Sequence, residues 1–67
     1  MKTLGEKLKE KRKSKNMSQE DVAKRLNIKR ETYTCWELGL HNPTVDYLVR
    51  LADFYETSTD YLLGRYT

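Results

Sequence analysis

Cysteine, histidine, proline and glycine are all scarce in these 67 residues: one Cys, one His, one Pro and three Gly. The lone Cys35 has no mate for an internal disulfide, which suits a reducing compartment, so a cytoplasmic location is expected. One cysteine and one histidine also fall short of a zinc staple, and no metal site is expected. With so few turn-forming residues and no sustained alternation of apolar and polar positions, strands and hairpins have no signal. No apolar run approaches the ~18 residues that a bilayer span needs, and the basic start lacks a signal peptide's apolar stretch. There is no nucleophile–base pair and no carboxylate cluster, so neither catalysis, nor a cofactor, nor a small-molecule substrate is expected. What is present is a charged fraction of 34% beside a hydrophobic fraction of 37%. That balance describes one small soluble domain over residues 1–67, held together by packing alone.

The net charge is +3, but its placement says more. Residues 1–30 carry eleven Lys or Arg against four acids, a net of +7; residues 31–67 carry two Arg against six acids, a net of −4. A basic half opposed to an acidic half is what a polyanion binder needs, because phosphate attracts the first and repels the second. An anionic membrane surface would use the same basic half, and Lys-rich helices also serve simply as solvated faces.

The chain reads as five short helices, all-α. Thr3 can cap a first helix, LGEKLKEKRKSK, with Leu4 and Leu8 on one face; the next step of that stripe is Arg12, an inconsistency that calls for a partner. Asn16 can end it in a left-handed turn. Ser18 opens a second helix, with Asp21 three residues on in a near match to the capping box. Val22, Ala23 and Leu26 form its apolar side, and Asn27 can again take positive φ. Ile28 anchors the start of a third helix running from about Lys29 to Leu38, which Gly39 stops. Thr44 caps a fourth, whose buried stripe is Leu48, Leu51, Ala52 and Tyr55. Ser58 or Thr59 starts a last turn or two that ends before Gly64.

The segment from Gln19 to Glu37 decides the architecture. Two short helices joined by about three residues need a small residue where they touch, a residue tolerant of left-handed backbone in the turn, and apolar inner positions. Ala23 and Asn27 supply the first two; Val22, Leu26, Ile28, Tyr33 and Trp36 supply the rest, and no proline interrupts. This is the signature of a helix-turn-helix. Tyr33 and Trp36 read as core, with the tyrosine hydroxyl left free to reach the rim.

These residues, with Met17-Ser18-Gln19-Glu20-Asp21-Val22-Ala23, Asn42-Pro43-Thr44 and the closing Thr59-Asp60-Tyr61-Leu62-Leu63-Gly64, resemble the phage repressor and Cro-type helix-turn-helix (XRE) family from Leu4 to about Leu63. The resemblance implies a compact five-helix domain that regulates transcription by binding a DNA operator as a repressor. It also implies that Arg12 pairs with Glu37, and physics agrees: an arginine on an apolar face needs a carboxylate, and its fork can still offer a donor to phosphate. An α-helix fits the major groove, and in this motif the third helix enters it N-terminal end first.

By that resemblance the base-reading positions are Arg30, Glu31, Thr34 and Cys35. Arg30 can take guanine O6 and N7 in bidentate fashion, or serve as a plain phosphate clamp. Glu31 can accept from cytosine N4, or act as a first-turn acid. Thr34 can touch a thymine methyl or a phosphate, or neither. Cys35 is short where relatives often carry a long polar side chain; it offers van der Waals contact at most, and a redox switch would lack a resolving thiol. Gln19, Ser18, Lys29 and Arg12 are the phosphate candidates. The loop Leu40-His41-Asn42 lacks the Lys or Arg that many relatives carry there. Relatives act as homodimers on half-sites about one helical turn apart, and Leu40, Tyr61, Leu62 and Tyr66 are the dimer-surface candidates. The competing readings are an antitoxin-like protein-interaction module and a membrane-surface peptide on helix one. The second is poorly served by two leucines and no aromatic residue.

Overall fold

Serine or threonine precedes four of the five helices among the described residues, and in each case its side chain accepts a backbone N–H of the first turn. A computed structural model of the chain describes residues 2–65. The helices are α1 (Leu4–Ser14), α2 (Gln19–Leu26), α3 (Arg30–Leu38), α4 (Val45–Phe54) and α5 (Thr59–Leu63). Thr3, Ser18, Thr44 and Ser58 accept from the N–H groups of Glu6, Asp21, Tyr47 and Tyr61. At Thr3–Glu6 and Ser18–Asp21 the acid also accepts the cap residue's own N–H, completing two capping boxes. Those backbone hydrogen bonds hold the Glu6 and Asp21 carboxyls below the usual carboxylate range. The first and third helices are slightly shorter than expected: Lys15 is the C-cap of α1 and Lys29 the N-cap of α3.

Left-handed backbone closes the segments where the sequence offers it, at Asn16, Asn27, Gly39 and Gly64. Glu56 also takes positive φ, 54°, with no local signal to announce it. The core collects the expected stripes from α2, α3 and α4 together with Leu8 and Leu62, while Ile28 packs against it partly buried. Full burial of a Leu or Val side chain contributes about 1.5–3 kcal/mol.

Three tertiary features differ from, or add to, the sequence reading. First, the Tyr33 hydroxyl does not reach the rim: Tyr33 is fully buried and its hydroxyl lies 2.6 Å from that of Tyr55. The ring is too large to leave at the margin, and α4 supplies a polar partner in the interior, so neither hydroxyl is stranded. Burial pushes both tyrosines above their usual range, Tyr55 to about 12. Second, α1 crosses the backbone at the end of α3 so closely that a Cβ at Gly5 would overlap the Glu37 carbonyl and lie 2.8 Å from that of Trp36. Third, α5 is strapped to α1. Lys7 is buried, its Nζ donates to the Tyr61 carbonyl at 2.8 Å, and the Tyr61 ring faces the ammonium groups of Lys7 and Lys11 at 5.2 and 5.3 Å. This strap carries Leu62 into the core at 1% exposure. Leu62 therefore fails as a dimer-surface residue, because α5 spends its apolar side on its own domain.

Candidate nucleic-acid interface

The turn between α2 and α3 follows from Asn27. With φ 58° and ψ 47° it ends α2, and the Ile28 N–H reaches back to the Ala23 carbonyl at 2.9 Å. Arg50 of α4 donates to the Leu26 carbonyl at 2.7 Å while its guanidinium stacks 5.0 Å from the Tyr47 ring centroid. Tyr47 in turn packs on Trp36 of α3, centroids 5.5 Å apart. The end of α2 and the inner side of α3 are thus both referenced to α4.

The apolar stripe of α1 reaches Arg12, and Arg12 reaches Glu37. Its Nε donates to Oε2 at 2.7 Å and its Nη2 to Oε1 at 3.1 Å, a bidentate pair; Nη1 donates to the Met17 carbonyl at 3.0 Å. The side chains are 12% and 3% exposed. Burial works against the charged carboxylate, yet the donors from Arg12, Gln19 and, more weakly, Tyr33 outweigh it, and Glu37 titrates below the usual range. Gln19 continues the network: its Nε2 donates to Glu37 Oε1 at 3.0 Å, and its Oε1 accepts from the Thr34 hydroxyl at 2.8 Å. A chain of hydrogen bonds therefore runs from α1 through the last turn of α3 and the first turn of α2 back to the middle of α3.

Around this network the sequence-derived candidates fall into groups. Arg30, Glu31, Thr34 and Cys35 together line one open depression on the outer side of α3. Arg12, Ser18, Gln19, Glu20 and Arg30 line a second, so Arg30 borders both. Lys29 stands apart with Asn27, Ile28, Thr32 and Tyr47. Ser18 is occupied by its cap, and Glu20 brings a carboxylate to the depression that holds the phosphate candidates. Of the dimer candidates, Leu40 is exposed, Tyr61 is half-buried against α1, and Tyr66 lies outside the described residues. Leu38 and Val45, which the sequence reading passed over, are as exposed as Leu40.

Sequence reasoning also missed Gly5, Lys7, Arg50 and the Gln19–Thr34 bond. A glycine inside a helical pattern is itself a signal of close packing; the others are contacts across long sequence separations. Among the described residues no helix is long and apolar enough to cross a membrane, and no His, Cys, Asp or Glu group of three or more could hold a metal.

A family model described as helix-turn-helix matches residues 8–62. The chain belongs to the helix-turn-helix family. Within it, this member is 38% identical over 63 residues to the HTH-type transcriptional regulator ImmR of Bacillus subtilis, covering 94% of this chain and 50% of that one. It is 42% identical over 60 residues to the HTH-type transcriptional regulator AnsR of the same organism, covering 90% and 52%. It is also 38% identical over 63 residues to the cryptic phage CTXphi transcriptional repressor RstR of Vibrio cholerae, covering 94% and 56%. The chain thus spans about half the length of the curated relatives it matches. The fold is that of the P22 c2 repressor, solved in complex with a synthetic operator: TM-score 0.91 at 24% identity, over 98% of this helix-turn-helix chain and all of that one.

Proposed function

We propose that this chain binds double-stranded DNA sequence-specifically, with α3 in the major groove, and acts in the cytoplasm as a transcriptional regulator of repressor type. One observation carries the reading. Arg30, Glu31, Thr34 and Cys35 share an open depression on α3, and Arg30 joins it to the depression of Arg12, Ser18 and Gln19. A base-edge surface and a phosphate surface so adjoined are the two parts that a groove-entering helix requires. The relatives' names as transcriptional regulators and a repressor support the same role. The +7 charge of residues 1–30 supplies the long-range attraction. The role is one of binding, not of catalysis.

Selection of bound sites from a random duplex library tests the reading, with a defined consensus as the expected result. On that consensus Arg30→Ala should cost about 1–3 kcal/mol and relax preference at one base pair. An equal loss on all duplexes would reassign Arg30 to phosphate. Log affinity should fall with log salt at about −0.9 per neutralised phosphate. A flat salt response would favour a protein partner instead.

A further inference from the structure

Arg50 is one of two Arg in residues 31–67, and on α4 it stands four residues after Asp46 and three before Asp53, within reach of a helical ion pair. Its guanidinium turns elsewhere. Nη2 donates to the Leu26 carbonyl at 2.7 Å, and the group lies 5.0 Å from the Tyr47 ring centroid. Leu26 is the last residue of α2, and its carbonyl is one of those that a helix leaves without an intrahelical partner. A cation there also meets the negative end of the helix dipole. Just beyond the turn, α3 starts from Lys29 with no side-chain cap, so its entrance lacks the local lock that Thr3, Ser18, Thr44 and Ser58 give the other helices. Tyr47 borders one depression with Asn27, Ile28, Lys29 and Thr32, and it packs on Trp36. Arg50 thus ties the turn, and with it the start of α3, to α4. It lines neither the depression of Arg30, Glu31, Thr34 and Cys35 nor that of Arg12, Ser18 and Gln19.

We infer that Arg50 is a positioning residue for DNA recognition: it fixes the entry angle of α3 by holding the end of α2 against α4, and it touches no DNA itself. The inference rests on the proposed DNA-binding reading and deepens it. A helix held at one tilt presents its side chains to base edges without further ordering. A helix whose entrance moves must be ordered on binding, and that cost falls on the contacts that need fixed geometry. Hydrogen bonds to base edges need it; the attraction of phosphate to a positive field does not. Loss of Arg50 is therefore felt on the specific sequence and much less on an arbitrary duplex, whereas loss of a phosphate contact is felt on both alike.

Two variants test this. Arg50→Met keeps a flexible side chain beside Tyr47 and removes the donor and the charge; Arg50→Lys keeps the charge and a donor for the same carbonyl. Affinity is measured for the duplex consensus obtained by site selection and for a scrambled duplex, at a temperature where circular dichroism shows all three chains fully folded. Amide hydrogen exchange is followed by NMR in the free chains. Arg50→Met should lose about ten-fold on the consensus and no more than about two-fold on the scrambled duplex, the share of one surface charge. Its exchange should quicken from Asn27 to Glu31 and stay as in the wild type around Leu8 of α1. Arg50→Lys should restore most of the consensus affinity. An equal loss on the two duplexes would make Arg50 a phosphate contact and overturn the inference, as would Arg50→Met binding the consensus like the wild type, or Arg50→Lys doing no better than Arg50→Met. A wild-type chain that binds no duplex at low salt would sink the DNA-binding reading itself, and the exchange pattern would then still decide whether Arg50 holds the turn.

Discussion

Gly5 and Arg12 sit on the same side of α1, and each is required by the backbone or side chain of Glu37. At Gly5 the demand is steric. Alanine is the better helix former by about 1 kcal/mol, yet here its Cβ would meet backbone carbonyls that cannot rotate away. Gly5→Ala should therefore lower stability by about 1–3 kcal/mol in chemical denaturation, against the propensity trend. At Arg12 the demand is electrostatic. Arg12→Met would leave the Glu37 carboxylate buried with only Gln19 and Tyr33 to support it, a loss of about 3–5 kcal/mol. Arg12→Met combined with Glu37→Leu should cost much less than the sum of the two single changes, which a double-mutant cycle by urea denaturation would read out.

At the scale of the element, α2 is the helix most completely specified by its own residues. The Ser18–Asp21 box caps its start, three apolar residues define its inner side, and Asn27 ends it. Ser18→Ala should cost about 1 kcal/mol by loss of the cap. Asn27→Gly should be neutral to mildly stabilising because glycine adopts this backbone freely, whereas Asn27→Val should destabilise strongly through the same φ of 58°. Thermal melts of the three variants would rank them. The α3 helix differs: its N-cap Lys29 makes no side-chain hydrogen bond, so its placement depends on Trp36, Tyr33 and the Glu37 network.

The whole molecule couples these parts through ionisation and surface. Glu37 titrates below its usual range despite burial, because Arg12 and Gln19 donate to it. The stability it contributes is fully present above the unfolded carboxyl value, about 4.3, and is lost as pH falls through the lower folded value. Acid unfolding followed by circular dichroism should show this limb, and Glu37→Gln, less stable at neutral pH, should flatten it. Tyr33 and Tyr55 act in the opposite direction. Burial raises both, so the stability they contribute is lost as pH climbs above about 10, where unfolded tyrosines ionise. On the surface, Leu38, Leu40 and Val45 are 66%, 67% and 75% exposed around the loop after α3. We propose that the chain forms a homodimer and that these residues lie in its interface. Val45→Asp with Leu40→Asp should reduce cooperative operator binding without lowering the monomer's melting temperature, as judged by gel shift and sedimentation.

What the order of residues determined by itself was the set of helices, their caps and turns, the stripe each would bury and the basic character of residues 1–30. Those properties depend on neighbours within about four positions, so they can be read along the chain. A lone arginine on an apolar stripe demands a carboxylate, and the family resemblance implied that Glu37 is the one that pairs with Arg12. The three-dimensional packing decided which polar groups are left over. Tyr33 was drawn inward by Tyr55, Leu62 by the strap of Lys7, and Gln19 and Thr34 turned to each other. Each of these contacts joins residues 15 to 54 positions apart, where no local periodicity carries information. Whether a side chain on the outer side of α3 is free for an outside contact is therefore settled by a neighbour that only folding brings alongside it.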